Sequence, residues 1–134
     1  MNVMADHRRA LGRRGEDLAA THLERHGWRI VERNFRTREG EIDLIAARRG
    51  TLAFCEVKTL IARRAPPASG PANPVESVGP AKRISVRRMA RAWLADGGES
   101  NRPPRHHCVR LDVIGVLLAP DGTLLRLEHL ESAF

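Results

Sequence analysis

Apolar positions recur along the chain with two periods, and their changes of period mark the elements. Over residues 8–26, Leu11, Leu18, Ala19 and Leu23 fall at helical spacing. Gly27 follows, where a helix end needs the left-handed backbone that glycine adopts freely. Strand patterns occupy residues 28–33, 41–47 and 51–59, the last two flanking Arg49 and Gly50. A two-residue hairpin turn at Arg49 and Gly50 sets Ala47 opposite Leu52, Ile45 opposite Phe54, Asp43 opposite Glu56 and Glu41 opposite Lys58. The other face then carries Ala46 with Ala53, Leu44 with Cys55 and Ile42 with Val57. One face is apolar throughout, while the other is apolar near the turn and charged at its far end, as in a central strand pair with a polar pocket at one edge. A slip of one residue would send Asp43 and Glu56 to opposite faces.

The pattern stops over residues 60–80, where five of the eight prolines fall, and a flexible Pro/Ala-rich loop is expected there. A second helix starts at Pro80 or Ala81 and ends near Gly97 and Gly98, burying a stripe of Val86, Met89, Ala90, Trp93 and Leu94. Residues 101–107 form a basic loop, 109–118 a long apolar strand, 120–122 a turn and 123–127 a last strand. The order helix, three strands, helix, two strands predicts an α/β sandwich around a mixed sheet of about five strands, one domain over residues 1–134.

Composition adds a charge argument. The chain has 134 residues and a net charge of +7, which suits a polyanionic partner or simply keeps a small protein in solution. Of the 23 basic residues only Lys58 and Lys82 are lysines, so the tunable ammonium chemistry that arginine cannot supply rests on two positions. The five aromatic residues include no tyrosine, which speaks against recognition by rows of base-stacking rings. Cys55 and Cys108 form no CxxC pair, so cysteine alone builds neither a disulfide framework nor a zinc site. No membrane-spanning run and no signal peptide is expected, and the chain is read as cytoplasmic.

Candidate chemistry lies at the charged end of the hairpin. Asp43 and Glu56, facing the same way on neighbouring strands, cannot both stay ionised cheaply without a cation or a shared proton between them. Hard oxygen ligands select Mg²⁺ or a similar ion, which accepts phosphate oxygens as further ligands. Lys58, two residues after Glu56 on the same face, can contact a metal-bound water and a phosphate, and Glu16 on the first helix offers a third acid. Gly12 and Gly15 flank Glu16 and predict close approach of another backbone. Lys82, in the first turn of the second helix, can reach over the sheet edge, and Arg110 with Asp112 suggests a structural ion pair. His22 and His26 share a helix face without a third ligand, so packing or exposure is the expectation for them.

The segments GRRGE at 12–16, RNFRTREGEIDLIA at 33–46, FCEVKT at 54–59, ESVGPAKR at 76–83 and RLDVIGV at 110–116 resemble the YraN family, small bacterial proteins with a restriction-endonuclease-like fold. The resemblance implies a relation to Holliday-junction resolvases and other PD-(D/E)xK nucleases. By position, Asp43 resembles the acid of the first half-motif, Glu56 and Lys58 the second, and Glu16 the helix glutamate that many members add. It implies hydrolysis with Mg²⁺ or Mn²⁺ held by Asp43, Glu56 and the Val57 carbonyl, with Lys58 orienting or helping to deprotonate water. Lys82, Arg83 and Arg87 would grip the flanking backbone of DNA or structured nucleic acid. The alternatives are a catalytically silent nucleic-acid-binding module and an adaptor in DNA processing. Related resolvases act as dimers, which makes a homodimer the protein partner implied.

Overall fold

In a computed structural model describing residues 3–63, 79–96 and 103–133, the two periodicities resolve into two helices and five strands. In chain order these are α1 (Val3–Arg25), β1 (Arg29–Thr37), β2 (Gly40–Arg48), β3 (Thr51–Ile61), α2 (Pro80–Asp96), β4 (Cys108–Leu118) and β5 (Leu124–Leu130). The strands form one sheet in sequence order, with β3 and β4 parallel and the other neighbours antiparallel. A parallel pair requires a crossover, and the segment carrying α2 supplies it, which is why the sheet is mixed.

Each face of the sheet is covered by one helix. On the α1 side Leu11, Ala19, Ala20 and Leu23 pack with Leu44, Ala46, Ala53, Cys55, Ile114 and Val116. On the α2 side Val86, Met89, Ala90 and Trp93 pack with Ile42, Ile45, Leu52 and Phe54, and the Trp93 and Phe54 rings meet edge to face at 5.6 Å. The Arg49–Gly50 turn has φ of 47° and 80°, the doubly left-handed geometry that matches strand twist, and it sets the expected register from Arg48↔Thr51 to Leu44↔Cys55.

The structure departs from the sequence pattern in several places. Helix α1 begins at Val3 rather than near residue 8, because its first turns bury nothing before Leu11 and so carry no apolar period. Strands β1 and β5 run past their predicted ends on mostly exposed or half-buried positions. Leu60 and Ile61 extend β3 against Leu117 and Leu118 instead of opening the loop, while 64–78 lie outside the described residues. Strict alternation also fails at Asp43, since Ile42 packs on the α2 side with Ile45 and not on the α1 side with Leu44. The break coincides with Asn34, across from Asp43 on β1, whose φ of 55° interrupts the extended backbone.

Buried Asp112 ties β4 to the end of β5. It accepts hydrogen bonds from Arg110 Nη2 at 3.0 Å, His129 Nε2 at 2.7 Å and the Ser132 amide at 2.9 Å. Burial alone would raise its pKa, but these donors outweigh it and hold the carboxyl below the usual carboxylate range. The Arg110 and Asp112 pairing is thus the structural ion pair expected from the sequence.

Candidate functional site

The β2–β3 ladder ends at Leu44↔Cys55, one residue short of Asp43 and Glu56. There the Val57 N–H donates to Asp43 Oδ2 at 2.8 Å, so a side-chain carboxylate replaces the backbone acceptor that a continuing ladder would supply. Asp43 is thereby locked to the strand that carries Glu56. Glu56 is buried with its side chain 8% exposed, and its Oε1 faces two ammonium groups, Lys82 Nζ at 3.5 Å and Lys58 Nζ at 3.8 Å. Both lysines remain about one-third exposed, so each touches the buried acid and solvent together.

A second group of acids meets Asp43 from the other side. Glu16 of α1, Glu41 of β2 and Asp43 can each place a carboxylate oxygen within 4.8 Å of the other two, the one such set of acids, histidines or cysteines among the described residues. The Asn34 amide nitrogen, in the orientation that satisfies both of its polar atoms, donates to Glu41 Oε1 and to Glu16 Oε2. Arg36 Nε lies 3.3 Å from Glu41 Oε2. Asp43 is therefore shared between a carboxylate cluster and a lysine-capped glutamate.

Crowding changes the protonation of this site. Burial first, then repulsion from Glu56, Glu16 and Glu41, pushes the Asp43 pKa up to about 8 against the opposing Val57 hydrogen bond. Burial, and next Glu41, also raise Glu16, with Arg33 acting in the opposite direction.

Gly15 and Gly12 position Glu16 in different ways. A Cβ on Gly15 would stand 2.0 Å from Thr59 Oγ1, so the absence of a side chain lets α1 settle on β3. The close neighbour is thus the Thr59 side chain rather than the backbone expected from the sequence. A Cβ on Gly12 would meet nothing within 4 Å, and this glycine instead opens onto a cleft of about 390 Å³ lined by Arg9, Arg13, Glu16, Asn34, Arg36 and Glu41.

The expected basic group on α2 is divided. Lys82 reaches Glu56, Arg83 is half-buried, and exposed Arg87 lines a separate cleft with Arg110. His22 and His26 stack with ring centroids 4.2 Å apart, in accord with a packing role. Sequence reasoning set Glu41 on the face of Asp43, opposite Lys58, but did not count it among the acids of the site, where the structure brings it together with Glu16 and Asp43. It also missed Asn34, whose left-handed backbone follows from no local pattern in the sequence.

A family model described as "Uncharacterised protein family UPF0102" matches residues 15–116. A UPF0102 protein of Streptomyces griseus is 47% identical over 115 residues, covering 86% of this chain and 88% of its own. Those of Geobacter sulfurreducens and Rhodococcus jostii are each 43% identical over 129 residues, covering 96% of this chain and 91% and 98% of their own. Among the described residues, no helix is long and apolar enough to cross a membrane.

Proposed function

The chain belongs to the uncharacterised protein family UPF0102, and on that premise we propose that it is a nuclease that hydrolyses phosphodiester bonds in DNA or structured nucleic acid with Mg²⁺ or Mn²⁺. The observation that carries this reading is the position of Asp43, a half-buried carboxyl crowded by Glu56, Glu16 and Glu41 within a chain of net charge +7. Such crowding is relieved by a proton or a cation, and a donor set made wholly of oxygen atoms fits a hard divalent ion.

Asp43 and Glu56, with the Val57 carbonyl, would hold that ion, and Glu16 and Glu41 stand beside Asp43 as further oxygen donors. When bound, the ion supplies Lewis-acid polarisation of the phosphoryl oxygen and a lowered pKa for attacking water. The Lys58 ammonium, 3.8 Å from Glu56, donates hydrogen bonds to that water or to a phosphate oxygen and offsets charge growing on the phosphoryl group. Lys82 holds Glu56 from the α2 side and leaves its exposed face to a neighbouring phosphate. Arg83 and Arg87 add charge along the same helix.

The test is incubation of labelled branched, flap and linear DNA with Mg²⁺ or Mn²⁺, comparing wild type with Asp43→Ala and Lys58→Ala. The expected result is metal-dependent product from wild type alone. Salt-dependent binding with no product beyond that of the variants would overturn the nuclease reading in favour of a silent binding module.

A further inference from the structure

We propose that the cleft beside Glu16 and Glu41 seats the phosphodiester backbone of a nucleic-acid strand, with Arg9 and Arg13 of α1 as its grips. The proposal rests on the reading of the acidic end as a phosphodiester site, and it moves the main grip from α2, where the sequence suggested it, to α1.

Arg9, Gly12, Arg13 and Glu16 are spaced i, i+3, i+4 and i+7 on α1 and line one cleft. At about 1.5 Å per residue, Arg13 and Arg9 stand about 4.5 and 10 Å along the helix axis from Glu16. Cations are thus arrayed outward from the acids along one line. Neighbouring arginines are already engaged: Arg14 donates to the Gly122 carbonyl, Arg33 pairs with Asp17 at 2.6 Å and Arg36 with Glu41 at 3.3 Å. The exposed Arg9 and Arg13 side chains hold no hydrogen bond or ion pair among the described residues, although Glu16 and Glu41 line the same cleft. Guanidinium groups left without a partner in such a cleft suit an external anion, and phosphate takes them bidentately.

Cleft shape and charge order select the kind of anion. Gly12 leaves the floor open, giving a strand room to lie against the helix. An acidic peptide would push its carboxylates toward Glu16, Glu41 and Asp43 at the inner end. A phosphodiester chain spreads one charge over each linkage, so outer phosphates meet Arg9 and Arg13 while an inner one reaches the acidic end with a divalent cation.

Binding of labelled single-stranded and branched DNA, followed by fluorescence anisotropy without divalent metal, tests the assignment apart from catalysis. The Arg9→Ala/Arg13→Ala double variant should bind about tenfold or more weakly and lower the slope of log K against log salt by about 1.5 to 2, as expected for two lost phosphate contacts. Gly12→Leu, at a position where a side chain has room, should weaken binding by filling the cleft while leaving the helical circular dichroism intact. A charge-matched control, Arg91→Ala/Arg105→Ala, should change binding by less than about threefold. If the α1 double variant and Gly12→Leu bind no worse than this control, the cleft assignment is overturned and the nuclease reading stands. Wild type that binds DNA with the expected variant losses but cleaves nothing in Mg²⁺ supports the cleft and overturns the nuclease reading. Wild type that binds no DNA, but binds phosphatidylglycerol vesicles through the same arginines, overturns both.

Discussion

The Asp43 carboxylate accepts the Val57 amide at 2.8 Å, at the point where the β2–β3 ladder stops. This bond fixes Asp43 against the strand bearing Glu56 and leaves its other lone pairs toward Glu16 and Glu41. A carboxylate so crowded keeps a proton that an exposed aspartate would have lost.

With its pKa at about 8, Asp43 is largely protonated at neutral pH, so a divalent cation must displace a proton to bind there. Mn²⁺ affinity should rise about tenfold per pH unit from pH 6 toward 8 and then level off. Calorimetry at pH 7 in buffers of different ionisation enthalpy should show about one proton released in wild type and none in Asp43→Asn. The stability effect has the matching sign. A carboxyl whose pKa is raised on folding binds more protons folded than unfolded, so its contribution is greatest at low pH and is lost as pH rises from the ordinary carboxylate range through about 8. Asp43→Asn should therefore stabilise the metal-free protein at pH 8 and matter little at pH 4, as read from urea midpoints.

Glu56 predicts a coupling between the lysines. Removing either Lys58 or Lys82 leaves one ammonium on the buried carboxylate, and because each lysine is about one-third exposed, the loss should be about 1 kcal/mol or less. Removing both leaves the charge buried without a counterion, and the double variant should lose about 3 kcal/mol, more than the sum of the singles. Glu56→Gln in the double-lysine background should recover most of it. Additive single effects in a urea double-mutant cycle would contradict the shared role.

Most of the site was legible because strand geometry is regular. The Arg49–Gly50 turn fixed the register from Arg48↔Thr51 to Leu44↔Cys55, and the next positions along it, Asp43 and Glu56, lie where the ladder stops, with Lys58 beside Glu56. What escaped depended on irregularity. Asn34 turns left-handed opposite Asp43, Ile42 changes faces, and Glu41 enters the cluster through contacts with a helix that the strand pattern does not describe. The pairing of Lys82 with Glu56 likewise needed the tertiary placement of α2, whereas the sequence showed only that Lys82 was near its start. Helix ends that bury little, such as residues 3–7 of α1, where even Val3 and Met4 are exposed, leave no periodic trace because burial writes the pattern.

The two glycines of α1 should respond oppositely to alanine. Gly15→Ala drives a Cβ into Thr59, whose own Cβ lies 3.1 Å from the same point, so rotating the threonine gives little relief. A loss of about 1 to 3 kcal/mol is expected despite the better helix propensity of alanine. Gly12→Ala has open space and should stabilise by up to about 1 kcal/mol. Thermal unfolding of both variants checks the pair, and Thr59→Ala in the Gly15→Ala background should restore part of the loss.

Asp112 makes the acid limb of stability predictable. Burial opposes its charge, yet hydrogen bonds from His129, Ser132 and Arg110 depress its pKa, so folding favours the ionised form. A carboxyl depressed on folding contributes fully above its unfolded pKa, near 4, and loses that contribution as pH falls through the folded value. Asp112→Asn should therefore cost about 2 to 3 kcal/mol at pH 7, with Arg110 left facing a neutral amide. The difference between wild type and variant should shrink steadily below pH 4. Urea midpoints from pH 7 to pH 3 measure it, and a difference that stays constant across that range would show that Asp112 acts through packing and not through charge.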